Sequence, residues 1–75
     1  MVKHMRYREF VDWCNQRAAN GEWGMSEAIK CIATIGIIRK EPFWRREAVW
    51  QNYYAPDIIF NIVQPINEML KEKGK

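Results

Sequence analysis

Histidine is almost missing from this chain. His4 is the only one, and it lies in an N-terminal MVKHM that reads as vector-derived, with Met5 as the native start. Its scarcity removes Ser/His and Cys/His pairs as routes to a nucleophile. Cysteine is nearly as sparse: Cys14 and Cys31 make no disulfide framework and, with one histidine, no zinc site. Glycine is too thinly spread for a phosphate loop, because Gly21 and Gly24 bracket a tryptophan and lack a following Gly-Lys-Ser/Thr. The apolar run Ser26–Ile38 is too short, and too interrupted by Lys30, to span a bilayer. No secretory signal, internal repeat, low-complexity segment or alternating strand pattern is visible. A net charge of +3 includes Lys3 of the leader and is too small to imply nucleic acid by itself. The expectation is an intracellular, cytoplasmic protein with reduced thiols, no metal, no cofactor and no membrane span.

What is present is apolar helix. From Ser26 to Lys40 the chain reads SEAIKCIATIGIIRK, apolar almost all the way round, with Glu27, Lys30 and Thr34 on one narrow stripe. Such a helix needs cover on several sides. The expected fold is therefore all-α, a compact bundle of three to four short helices around this apolar helix, in a single domain over residues 5–73. A chain of this length buries only about 60–65% of its unfolded surface. Four Trp, three Tyr and three Phe put much apolar area into few residues.

In chain order, Tyr7, Phe10, Val11, Cys14 and Ala18 recur at helical spacing, with Trp13 flanking the stripe. This predicts a first helix from about Met5 to Ala19, stopped by Asn20–Gly21. After Gly21-Glu22-Trp23-Gly24, Ser26 is the expected cap of the second helix, and Arg39 and Lys40 suit its C-terminus. So short a link makes the first two helices antiparallel neighbours, with Cys14 and Cys31 level and facing inward. Axes about 8–10 Å apart fit two buried thiols better than a disulfide. Pro42 suits the first position of a third helix, about Phe43 to Tyr54, with Phe43, Val49, Trp50 and Tyr53 inward and Trp44 and Tyr54 toward the edges. Ala55-Pro56-Asp57 is the expected turn into a fourth helix whose inner face is Ile59, Ile62, Val63, Ile66, Met69 and Leu70. Pro65 implies a kink, or a restart capped by Gln64, with the Asn61 carbonyl unpartnered. Lys71, Lys73 and Gly74 form a conventional basic finish.

Carboxylates offer little chemistry: Glu9 and Asp12 share a helix face, where a solvated pair is the ordinary reading. Catalysis is not expected. Tyr, Trp and Arg dominate protein–protein contacts, and Trp44, Arg45, Arg46 and Tyr54 lie close together in sequence, with Trp23 on a short loop. These five are the candidate partner-binding residues, rings as anchors and cations setting orientation. The partner would be another protein or a second copy of the chain. The rival is a small DNA- or RNA-binding protein using Arg39, Lys40, Arg45 and Arg46 against phosphates, with an exposed ring stacking on a base.

The motif WCNxRAxxGxWG over Trp13–Gly24, with PFWRRE at Pro42–Glu47, resembles short uncharacterised proteins of gram-positive phages and mobile elements. The resemblance covers most of the chain and carries no activity or site. It implies an accessory protein that binds and modulates a larger one, as a regulator or inhibitor.

Overall fold

A computed structural model describes residues 4–73; the leader residues 1–3 and the expected stop at Gly74 lie outside it. The described chain is all-α and forms three helices. α1 spans Tyr7–Asn20, α2 spans Met25–Arg39, and α3 runs from 43 to 73 without a break. α1 ends as its composition demands. Gly21 takes the left-handed conformation at φ 61°, the Gly21 N–H donates to the Ala18 carbonyl at 3.3 Å, and the Glu22 N–H donates to that of Arg17 at 3.0 Å. Its start is held by carboxylates: Glu9 accepts the Arg6 N–H at 2.9 Å, and Glu47 of α3 accepts the Tyr7 N–H at 3.3 Å. Acidic groups belong at this positive end.

α2 begins at Met25 with Gly24 as its cap residue, so Ser26 sits inside the first turn and does not cap it. Glu27, one position further on, folds its flexible carboxylate end over Gly24, where it would have to shift for a Cβ. Pro42 likewise stands just before the third helix, with Phe43 as the first helical residue.

The separate third and fourth helices expected from the prolines are one helix. It widens twice into π-helix, at Trp50–Tyr54 and at Ile59–Val63, and each wide turn ends just before an X-Pro pair, Ala55-Pro56 and Gln64-Pro65. A proline inside an α-helix clashes with the carbonyl four residues back and cannot donate to it. Here those carbonyls belong to Asn52 and Asn61. Widening by one residue moves them aside, and the N–H before each proline bonds five residues back, Ala55 to Trp50 and Gln64 to Ile59. Neither a turn at Pro56 nor a kink or restart at Pro65 is therefore required.

The extra residue also turns the inward face. Beyond Trp50 the buried positions are Ala55, Ile58, Ile59, Ile62, Val63 and Ile66, while Tyr53, expected inside, is 75% exposed and Tyr54 is half-buried. Phe43, also expected inside, is 76% exposed because it precedes the level at which α3 meets α1. Met69 is largely exposed and Leu70 is half-buried.

The core is made by α1 and α3 with one stripe of α2. Phe10 stacks on Trp50, centroids 4.4 Å apart and planes at 18°, and both are fully buried. The Trp50 indole N–H donates to the Met5 carbonyl at 2.7 Å, tying the segment before α1 to α3. Trp13 is buried and donates to Asn67 Oδ1 at 2.9 Å; Arg17 covers its ring at 5.5 Å and pairs with Glu22 at 3.1 Å. Ala18, expected inward, is exposed, because the buried stripe of α1 turns toward Trp13 instead. Cys14 and Cys31 are free, buried and adjacent, as their similar distance from the α1–α2 turn implied, and a thiol–thiol hydrogen bond couples them. That bond, together with burial, pushes the Cys14 thiol well above its usual range. The same bond draws Cys31 down against the effect of burial.

From α2 the core receives Cys31, Thr34 and Ile38, with Ile35 packed at its edge. The Thr34 hydroxyl is satisfied by the Lys30 carbonyl at 2.8 Å. The opposite side of α2 is open: Met25 is 80%, Ile29 60%, Ile32 63% and Ile37 49% exposed.

Candidate interaction surface at the α2–α3 junction

The residues singled out from the sequence separate into three places. Arg39, Lys40, Trp44, Arg45 and Arg46 meet at the junction of α2 and α3, Tyr54 lies farther along α3, and Trp23 stands at the opposite end of α2.

The junction is tight. Lys40 and Glu41 close the last turn of α2 through their N–H groups, to the Ile37 and Ile38 carbonyls at 3.2 and 3.0 Å. Pro42 is extended, at φ −54° and ψ 146°, and its carbonyl accepts the Arg45 N–H at 2.8 Å. α3 thus starts directly beside the carbonyl end of α2. Arg46 reaches back across this corner, its Nε donating to the Glu41 carbonyl and its Nη2 to the Arg39 carbonyl, both at 3.0 Å. It is half-buried, and its charge offsets the negative end of the α2 dipole. Arg46 is a structural clamp, with its Nε and Nη2 committed to the end of α2.

Arg45 is different. It is exposed, and its ion pair with Glu41 is stretched to 4.0 Å. Exposed pairs of this kind contribute about 0–1 kcal/mol, so the guanidinium is free to turn outward. Arg39 and Lys40 are exposed and make no side-chain hydrogen bond or ion pair within the described residues. Trp44 is 72% exposed and meets Phe43 edge to face, centroids 5.2 Å apart at 81°. The result is an uncovered aromatic pair bordered by three available cations. Phe43 escapes sequence reasoning because helical spacing assigns it inward; its place one residue before Trp44 at a helix start is the only local signal.

The other two rings are partly committed to the fold. Trp23 is half-buried and packs edge to face on Trp13, centroids 6.2 Å apart at 73°. Beside it a shallow hollow of about 260 Å³ is floored by Ile66 and Met69. Tyr54 is half-buried and lines a groove of about 280 Å³ between α2 and α3, with Lys30, Ala33, Ile37, Asp57 and Asn61. Among the described residues no three His, Cys, Asp or Glu side chains converge as metal ligands, and no helix is long and apolar enough to cross a membrane. Glu9 is engaged as a helix cap, so the Glu9–Asp12 pair is divided between structure and solvent.

No protein-family model matches this chain, and neither a curated protein nor a solved structure does.

Proposed function

We propose that the chain is a non-catalytic protein-interaction module, a regulator or inhibitor of a larger protein, and that it contacts this partner through the Phe43–Trp44 pair and Arg45. The observation that carries the reading is the exposure of both rings beside Arg45, held only by a stretched ion pair, and the exposed Arg39 and Lys40. Burying a tryptophan or phenylalanine on a partner removes a large apolar area from water, and an adjacent arginine supplies oriented donors. Trp, Tyr and Arg at the centre of an interface dominate its energetics. Arg39 and Lys40 form the cationic rim, which steers association more than it holds the complex. Tyr54 and Trp23 contribute exposed edges only, and Arg46 acts by holding the corner.

The test is affinity capture from an extract of the source organism, treated with nuclease, using the wild-type chain and the variants Trp44→Ala, Arg45→Ala and Tyr53→Ala. The last removes an equally exposed ring elsewhere on α3. A protein retained by wild type and Tyr53→Ala, lost with Trp44→Ala and stable to raised salt supports the reading. Retention of nucleic acid that is released steeply by salt would instead place phosphate contacts at Arg39, Lys40 and Arg45. Indifference to Trp44→Ala would remove the junction as the contact surface.

A further inference from the structure

Building on the junction reading proposed above, we infer that the partner of the α2–α3 corner is an acidic protein segment, in which glutamate or aspartate side chains flank an aliphatic one.

The charges of the corner divide by what they already hold. From 39 to 47 the chain carries four cations and two carboxylates. Arg46 is turned onto the end of α2, where its Nε and Nη2 meet the Glu41 and Arg39 carbonyls. Glu47 is turned the other way, its carboxylate accepting the Tyr7 N–H at 3.3 Å and the Gln51 amide at 2.8 Å. With those two withdrawn, the outward set is Arg39, Lys40 and Arg45 against Glu41 alone. Glu41 neutralises little of it, standing 4.0 Å from an Arg45 side chain that is 63% exposed. The fold thus leaves a cationic surplus bordering two exposed rings. Its complement is a partner that brings negative charge on either side of an apolar group.

The rings decide between carboxylates and phosphates. A single strand of nucleic acid stacks successive bases on open ring faces. Phe43 and Trp44 stand at 81° with centroids 5.2 Å apart, so the pair presents a corner and not two parallel platforms. A branched aliphatic side chain fills such a corner. Glu41, standing among the cations, opposes an unbroken row of phosphates. Carboxylates spaced along a protein segment meet Arg39, Lys40 and Arg45 singly and leave Glu41 uncovered, and an arginine takes a carboxylate through two parallel hydrogen bonds. Because these cations lie at an exposed rim, they add rate and discrimination while the rings hold the complex.

Fluorescence anisotropy with two short labelled peptides tests this, one with a central leucine between glutamates, the other with glutamine in place of every glutamate. At about 20 mM salt the glutamate peptide should bind about tenfold tighter than the glutamine peptide, and the gap should close to within about threefold at about 500 mM. Lys40→Gln combined with Arg45→Gln should erase the gap and leave the affinity for the glutamine peptide unchanged, with circular dichroism confirming the fold. Trp44→Ala should weaken both peptides, and Tyr53→Ala neither. Equal binding of the two peptides through Trp44 overturns the acidic partner and leaves the junction reading standing. So does a glutamate preference that the double variant keeps. Peptides bound equally well by Trp44→Ala overturn both. Binding of neither peptide at about 1 mM overturns the acidic partner alone, since capture from the extract still decides the junction. Oligothymidylate bound more tightly than the glutamate peptide, and released steeply by salt, overturns it in favour of nucleic acid.

Discussion

Trp50 is the side chain whose loss should be felt most, and the size of the effect follows from its surroundings. It is fully buried, stacked on Phe10 and bonded through its indole N–H to the Met5 carbonyl at 2.7 Å. Truncation to alanine should cost about 3–5 kcal/mol, the range for buried aromatics. A chain of this length has a total stability of about 4–11 kcal/mol, so Trp50→Ala should be unfolded or nearly so. Trp50→Phe is the sharper experiment. It keeps a ring against Phe10 and removes one hydrogen bond, worth about 0.5–1.5 kcal/mol net. It also leaves a void of roughly 40 Å³, worth about 1 kcal/mol at ~24 cal/mol per Å³. The Met5 carbonyl is not orphaned, because Gln51 Nε2 also donates to it at 2.9 Å. The total is about 2 kcal/mol. Urea unfolding followed by circular dichroism measures it, with the slope of the transition checked for constancy. A loss below about 0.5 kcal/mol for Trp50→Phe, or a cooperative and stable Trp50→Ala, would refute the account of this core.

Three further outcomes follow. Arg46→Ala removes two bonds to the carbonyls that end α2 and should cost about 1–2 kcal/mol, whereas Arg45→Ala should change stability by less than about 0.5 kcal/mol; paired urea melts separate the clamp from the free cation. Gly36→Ala should stabilise the helix by about 0.5–1 kcal/mol, while Gly21→Ala, at φ 61°, should destabilise by about 1 kcal/mol, both read from thermal melts at a concentration where the chain is monomeric. Burial pushes the Tyr7 phenol above its ordinary 10.0, against the pull of Arg46 and Arg39. The folded state therefore holds this proton more tightly, so the contribution is intact below pH 10 and is lost as the pH rises from there through the folded value. Tyr7→Phe should flatten the fall in urea midpoint between pH 9 and 11 relative to wild type, the two cysteines being common to both chains.

Part of this molecule was legible in the chain itself because the signals are local. Apolar spacing in α1, the Asn20–Gly21 stop, the all-round apolarity of α2 and the shared level of Cys14 and Cys31 each depend on residues within a few turns of one another. The basic and aromatic cluster at the α2–α3 corner was legible in the same way. The distinction between its two arginines was not: Arg46 faces carbonyls that only the bend at Pro42 brings within reach, and Arg45 does not. Nor was the role of Glu47, which follows the two arginines and caps the start of α1, forty residues away in sequence.

Local pattern therefore determined helix content, the ends of α1 and which residue types gather at the corner. Tertiary structure decided the rest. Two prolines that forbid regular α-helix are accommodated by π turns because Ile58, Ile59, Ile62 and Val63 can all then face α1 and α2. That choice is made by packing and is invisible to a fixed period of 3.6 residues. Tertiary structure also decided how much of α2 is covered, since a helix apolar on every side states a need for partners without stating where they come from. Within the described chain the Cys31–Thr34–Ile38 stripe is buried and Ile35 packs at its edge, while Met25, Ile29 and Ile32 stay exposed. α1 and α3 cover that stripe, and among the described residues no further helix lies on the other face.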